Sequence, residues 1–277
     1  SVYGHLSKFS EKIEKLIKAA QYKYQSEVVT IYLDSLDMVV SKGDVVALSG
    51  NSGSSMGPHL HFELRETVTE YPVNPLLFNF NVKDNIPPSI YNVKFYPIGK
   101  SVINKSQKEQ FQSVVKSSNG YILNEKVSAF GEIGLGLHTI DKLNGSNNIC
   151  GIFSIELYVN DTLHYFQEME KLDFSTNRYI NTYKDYKEHK KNKRSIHKSF
   201  VSDNNDLRIY KKLINKGRIV ISQNKEYDIK YVVRDVAGNV SKLAFKIYGD
   251  SAQLGFYKST INQQQLNAVT QQDSLVT

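Results

Sequence analysis

The chain has 277 residues, 40% of them hydrophobic and 23% charged, enough for two domains each with its own core. No apolar run approaches the ~20 residues of a membrane-spanning helix, and the single cysteine, Cys150, excludes an internal disulfide and a cysteine-rich zinc site. With 35 Lys and Arg against 28 Asp and Glu, the formal charge of +7 suits an anionic polymer or surface without naming one, and reads first as a solvated basic surface.

The opening "SVYGHLSKFS" shows no basic n-region and no apolar h-region, so no signal peptide is visible. Ser10 is placed to cap a helix over "EKIEKLIKAAQYKYQ", in which Ile13, Leu16, Ile17, Ala20 and Tyr24 fall on one face. From Val28 the pattern changes: "EVVTIYL" and "VVALSG" read as strands on either side of an "SKGD" turn. Residues 49 to 65 follow, "SGNSGSSMGPHLHFELR". In a strand, residues two apart share a face, so His59, His61, Glu63 and Arg65 project one way. The apolar set Leu60, Phe62 and Leu64 goes the other way, toward a core.

"YPVNPLLF" closes this segment, and the paired prolines of "DNIPPS" make residues 84–89 a linker between a first domain, 1–83, and a second, 90–249. The second domain is rich in alternating strands, such as "CGIFSIELYVND", "EYDIKYVVRD" and "VSKLAFKIYG", with hairpin turns at "NDT" and "DVAGNV". It reads as an all-β sandwich, with Cys150 a small buried side chain. Between its strands lies the Lys-rich "YKDYKEHKKNKRSIHKSF", 183–200. Contact with anionic glycan or nucleic acid is one reading of it; a long solvated loop is preferred, because acidic residues interrupt the basic ones. The Gln-rich tail, 250–277, reads as disordered.

Two imidazoles held side by side on one strand face suit metal chemistry, one ligating an ion while the other moves a proton or stabilises an oxyanion. On spacing alone, His59-x-His61 is equally the exposed polar face of a half-buried strand, since His-x-His carries far less information than His-Glu-x-x-His.

The wording around the pair is more specific. "YGHLSKF", "KGDVVALSGNSGSSMGPHLHFELR" and "VNPLLF" occur in this order, and residues 1 to about 80 thereby resemble the lysostaphin-type (LytM-like) zinc metalloendopeptidases, a peptidoglycan-hydrolase family. The resemblance implies a mainly β protein. Its first part would be an incomplete, antiparallel, barrel-like peptidase domain of the duplicated hybrid type, with the helix as an insertion. Carried over residue by residue, it makes His61 a Zn2+ ligand and His5 and His59 the catalytic pair. Three protein ligands would leave a fourth position for a water whose pKa the metal lowers to roughly 7.

One departure from the family bears on this. Its other two ligands, spaced His-x-x-x-Asp, precede the Tyr-x-His-Leu motif and are not in this sequence, and the pair His138 and Asp141 has the wrong spacing to replace them. The sequence therefore reads as the C-terminal part of the catalytic domain, unable to hold zinc tightly by itself. The second domain resembles bacterial immunoglobulin-like modules through "VRDVAGNVSKLAFKI", whose turn chemistry alone accounts for Gly238 and Asn239.

The expected function of the full-length protein is hydrolysis of peptidoglycan peptide cross-links in the bacterial cell envelope, periplasmic or extracellular, with no nucleic-acid partner. The alternative is a non-catalytic, envelope-associated binding or regulatory protein that keeps the peptidase fold. His164, His189 and His197 are assigned no role.

Overall fold

A computed structural model of the chain describes residues 1–34 and 38–255; it is mainly β and divides into two compact units, 1–73 and 74–277. In the first unit the strands are β1 (Val2–Gly4), β2 (Leu6–Phe9), β3 (Ala47–Ser49), β4 (His61–Arg65) and β5 (Pro72–Val73), with helix α1 (Glu11–Tyr24) between β2 and β3. They form a three-stranded sheet in the order β1-β4-β5 and a separate β2-β3 pair. Ser10 precedes α1 with extended backbone but makes no side-chain cap bond. The helix ends where Gln25 turns left-handed, its N–H donating to the Gln21 carbonyl.

The "EVVTIYL" segment is not a strand. Its β-branched residues favour a pleated surface only where there is a neighbour to pack on, and here Val28 is 86% and Tyr32 92% exposed. Among the described residues of this unit none is buried, and Leu60, expected to point into a core, is 49% exposed. Phe62, half-buried, packs on Tyr3 with ring centroids 5.3 Å apart.

The second unit holds β6 (Ser89–Pro97), β7 (Val102–Ile103), β8 (Gln110–Ser117), β9 (Gly120–Leu123), β10 (Val127–Ile140), β11 (Ser154–Val159), β12 (Thr162–Glu168), α2 (Ile180–Tyr183), α3 (Tyr186–Asn192), β13 (Ile196–Lys198), β14 (Tyr210–Leu213), β15 (Ile219–Ile221), β16 (Glu226–Arg234) and β17 (Val240–Gly249). Where two separate sheets were expected, these strands form one twelve-stranded sheet that returns on itself. The path β10-β6-β8-β9-β17 closes because β17 also pairs in parallel with β10, Ile247 beside Val127. The closure encloses a core of side chains such as Val93, Phe95, Leu135, Leu157, Tyr231 and Leu243.

The "NDT" hairpin turn between β11 and β12 forms as read, Asn160 and Asp161 taking φ of 49° and 59°, the left-handed pair that a two-residue turn requires.

The basic stretch 183–200 is folded rather than a solvated loop. Tyr183, Asp185, Ile196 and His197 are buried. Asp185 accepts from Lys94 Nζ at 2.6 Å, from Tyr96 OH at 2.8 Å and from the Glu188 amide at 3.1 Å. Ile196 and Phe200 cover the second face of β10, where Gly134 leaves room for the Phe200 ring: a Cβ there would lie 2.5 Å from it. Five consecutive residues, Ile133 to Leu137, are buried as a result.

Cys150 is half-buried and free. Gln253, in the segment read as a polar tail, is buried and accepts from the Lys105 amide at 2.8 Å; residues 256–277 lie outside the described residues.

Candidate functional site

Three local pairings bring the histidines of the first unit together. β1 runs antiparallel to β4, setting Gly4 opposite His61. Gly4 lacks the Cβ that would stand 3.1 Å from the His61 Cβ. β2 pairs with β3, Leu6 opposite Ser49, and the next residue, Gly50, bridges to His59, whose amide donates to the Gly50 carbonyl at 3.1 Å. Gly50 is packed so closely on Ser7 that a Cβ would fall 2.5 Å from the Ser7 Cβ and 2.7 Å from its amide nitrogen. His5 sits between β1 and β2 with a left-handed φ of 59°.

The outcome is a cluster of three imidazoles. The His5 ring lies 4.6 Å from that of His59 and 5.8 Å from that of His61, centroid to centroid. His5 Nδ1 is 2.8 Å from the Ser52 carbonyl oxygen and His59 Nδ1 is 2.8 Å from the Gly57 carbonyl oxygen. A carbonyl has no proton to give, so in both rings Nδ1 carries the hydrogen and the lone pair is left on Nε2. Ser55 Oγ, 3.3 Å from His59 Nδ1, adds a second contact on the same edge.

His61 is arranged the other way round. Its Nε2 is 2.5 Å from Glu63 Oε1, and Arg65 Nε donates to Glu63 Oε2 at 2.7 Å. The carboxylate takes the Nε2 hydrogen and leaves the lone pair of His61 on Nδ1, the carboxylate–histidine pairing that orients metal-ligating imidazoles. The bond from Arg65 first, and then that from His61, hold the Glu63 carboxyl below its usual range against the opposing effect of burial. These i, i+2 contacts put His61, Glu63 and Arg65 on one strand face; Glu63 and Arg65 were named in the sequence only as neighbours on that face.

The remaining histidines belong to the second unit. His164 Nε2 is 2.9 Å from the Arg218 carbonyl oxygen. His197 is bonded to Tyr183 OH at 2.9 Å, and its pKa is pushed down to about 3, first by burial and then by Lys184. His138 stacks on Tyr91 at 5.0 Å.

A zinc centre with a reacting position takes three protein ligands. Among the described residues, the one group of three His, Cys, Asp or Glu side chains with converging ligand atoms is Asp84, Asp141 and Asp235, in the second unit. The histidine cluster offers His61 to a metal but, on the described residues, does not fit a complete zinc centre. What the cluster has of its own is two imidazoles with matched tautomers and a third held by a carboxylate.

Comparison with known proteins finds no matching family model and no matching solved structure. An uncharacterized metalloprotease of Haemophilus influenzae is 40% identical over 76 residues, a stretch that makes up 27% of this chain and 11% of that relative. The similarity supports a metalloprotease relationship for part of the chain, and with it the use of a metal ion.

Proposed function

We propose that the full-length protein is a lysostaphin-type zinc metalloendopeptidase that cuts peptide cross-links of peptidoglycan in the bacterial envelope, on its periplasmic or extracellular side. In this reading residues 1–83 supply the C-terminal part of the peptidase domain. The closed β unit that follows carries no part of the chemistry.

The observation that carries the proposal is the convergence of His5, His59 and His61 from separate segments, within the motifs that resemble that family. His61 is the residue for the metal, oriented by Glu63. His5 and His59 present Nε2 lone pairs that can take a proton from a nucleophile and return it to a leaving amine. When bound, zinc would supply Lewis acidity; two further ligands are needed beyond His61. The similarity to a metalloprotease supports the reaction class.

The test is zinc-dependent hydrolysis of purified peptidoglycan by the full-length protein and by its His61→Ala variant. Loss of activity in the variant is expected, and equal activity in both would sink the assignment. The second reading, a non-catalytic envelope protein that keeps the fold, draws on the absence of a three-ligand set around His61 among the described residues. It predicts binding to peptidoglycan without hydrolysis.

A further inference from the structure

We infer that Asp84, Asp141 and Asp235 form a calcium site at one end of the twelve-stranded sheet, distinct from the histidine cluster. The three residues come from remote places in the chain: the segment leading into β6, the residue after β10, and the turn between β16 and β17. One carboxylate oxygen from each lies within 4.8 Å of the others. Asp141 is 4% and Asp235 2% exposed.

The carboxylates are only partly satisfied by protein. Asp235 accepts from Asn239 at both oxygens, from the amide nitrogen at 2.9 Å and from Nδ2 at 2.8 Å, and Asp84 Oδ1 accepts from the Ile86 amide at 3.1 Å. Asp141 Oδ1 and Asp84 Oδ2 are buried with no partner. Among the described residues no lysine, arginine or histidine is ion-paired with any of the three. Burial pushes the Asp141 pKa up to about 6 against the opposing bond from the Lys142 amide, with the neighbouring Asp235 and Asp84 adding to the rise.

Buried carboxyl oxygens without partners are costly, and these converge on one point. A cation held among the three would satisfy them together. The donors are all hard carboxylate oxygens, which suit Ca2+ or Mg2+ over zinc. Two oxygens bound to one Ca2+ at ~2.3–2.6 Å can stand up to ~5 Å apart, whereas Mg2+ at ~2.0–2.1 Å needs a tighter set and strict octahedral geometry. The relaxed coordination of Ca2+ suits three groups brought from remote segments to within 4.8 Å of one another. Because Asp84 precedes β6 while Asp141 and Asp235 lie at strand ends, the ion would fasten the start of the unit to its sheet.

The experiment uses the full chain freed of metal with a chelator, then titrated with CaCl2 at pH 7 by calorimetry and thermal melting. One Ca2+ per chain is expected. With a dissociation constant of ~10⁻⁴–10⁻³ M, 10 mM CaCl2 should raise the melting temperature of the second unit by about 3–10 °C. MgCl2 should do less. Asp141→Asn should abolish the response while melting no lower than the chelated wild type, since the change removes a repelling charge. Should that variant fail to fold, Asp84→Asn, at a half-exposed position, gives the same reading. No binding heat and no shift in the wild type, a response to MgCl2 as large as that to CaCl2, or a wild-type calcium response in the folded variant would each overturn the assignment.

Discussion

His5 and His59 face each other at 4.6 Å with the same tautomer, each Nδ1 hydrogen committed to a main-chain carbonyl, Ser52 for one and Gly57 for the other. Neither ring must rotate to expose an Nε2 lone pair, so the two are prepared as proton carriers. On the proposed function, His5→Ala and His59→Ala in the full-length protein should each lower kcat/KM for peptidoglycan by ~10²–10⁴, and the double variant should lose little more than the worse single one. Wild-type rates in either single variant would remove the pair from the reaction.

Gly50 sets the distance between the two motifs, because Ser7 occupies the space that its side chain would need. Gly50→Ala should force β2 and β3 apart at a cost of about 1–3 kcal/mol and shift His59, which bonds to the Gly50 carbonyl. The expected outcome is reduced peptidoglycan hydrolysis with an unchanged melting transition for the second unit. Full activity would show that the close approach is not needed for the site.

The grouping of these histidines was partly legible in the sequence. The period-2 alternation from Leu60 to Arg65 put His59 and His61 on one face, and the helix over 11–24 followed from its apolar spacing. What was not legible depends on partners. "EVVTIYL" has strand composition but nothing to pair with among the described residues, while the lysines of 183–200 concealed Tyr183, Ile196 and Phe200, which cover β10. The meeting of Asp84, Asp141 and Asp235 is a product of sheet closure, which no local pattern records. Glu63 could have been singled out, since an acid two residues beyond a histidine on one strand face is in reach of its ring.

Asp185 is the hub of a buried charge cluster. Lys94, 1% exposed along its side chain, bonds to it at 2.6 Å and to Glu109 at 2.8 Å. Burial alone would raise the Asp185 pKa, but the bonds from Lys94, the Glu188 amide and Tyr96 outweigh it and hold the carboxyl below 3.8. Its stabilising contribution is therefore present above that value and is lost as the pH falls below it. Asp185→Ala should cost about 3 kcal/mol in denaturant unfolding by leaving Lys94 under-compensated. The double variant with Lys94→Met should recover much of it; equal losses in both would contradict this account.

His197 gives the second unit a pH dependence of its own. Its pKa falls from 6.5 to about 3 in the folded protein, so the unfolded chain takes up a proton that the folded one excludes. Stability is present above pH 6.5 and declines at ~1.4 kcal/mol per unit below it. Asp141 acts in the opposite sense between about 6 and 3.8, which is why the comparison with a variant is needed. Between pH 7 and 5 the wild type should lose about 2 kcal/mol more than His197→Gln. Parallel curves for the two would show that this imidazole titrates alike in the folded and unfolded chain.

The parallel pairing of β10 with β17 has a consequence for biosynthesis. Val127 and Ile247 meet only when the chain has been made as far as Gly249, so the ring of strands stays open until then. Until then β10 offers unpaired backbone groups along its edge, the form in which strands recruit other chains. Contacts so remote in sequence also slow the search for the native arrangement. A nascent chain stalled before Val240 is thus the state in which this protein is most exposed to aggregation and proteolysis, and the one in which a holding chaperone would matter most.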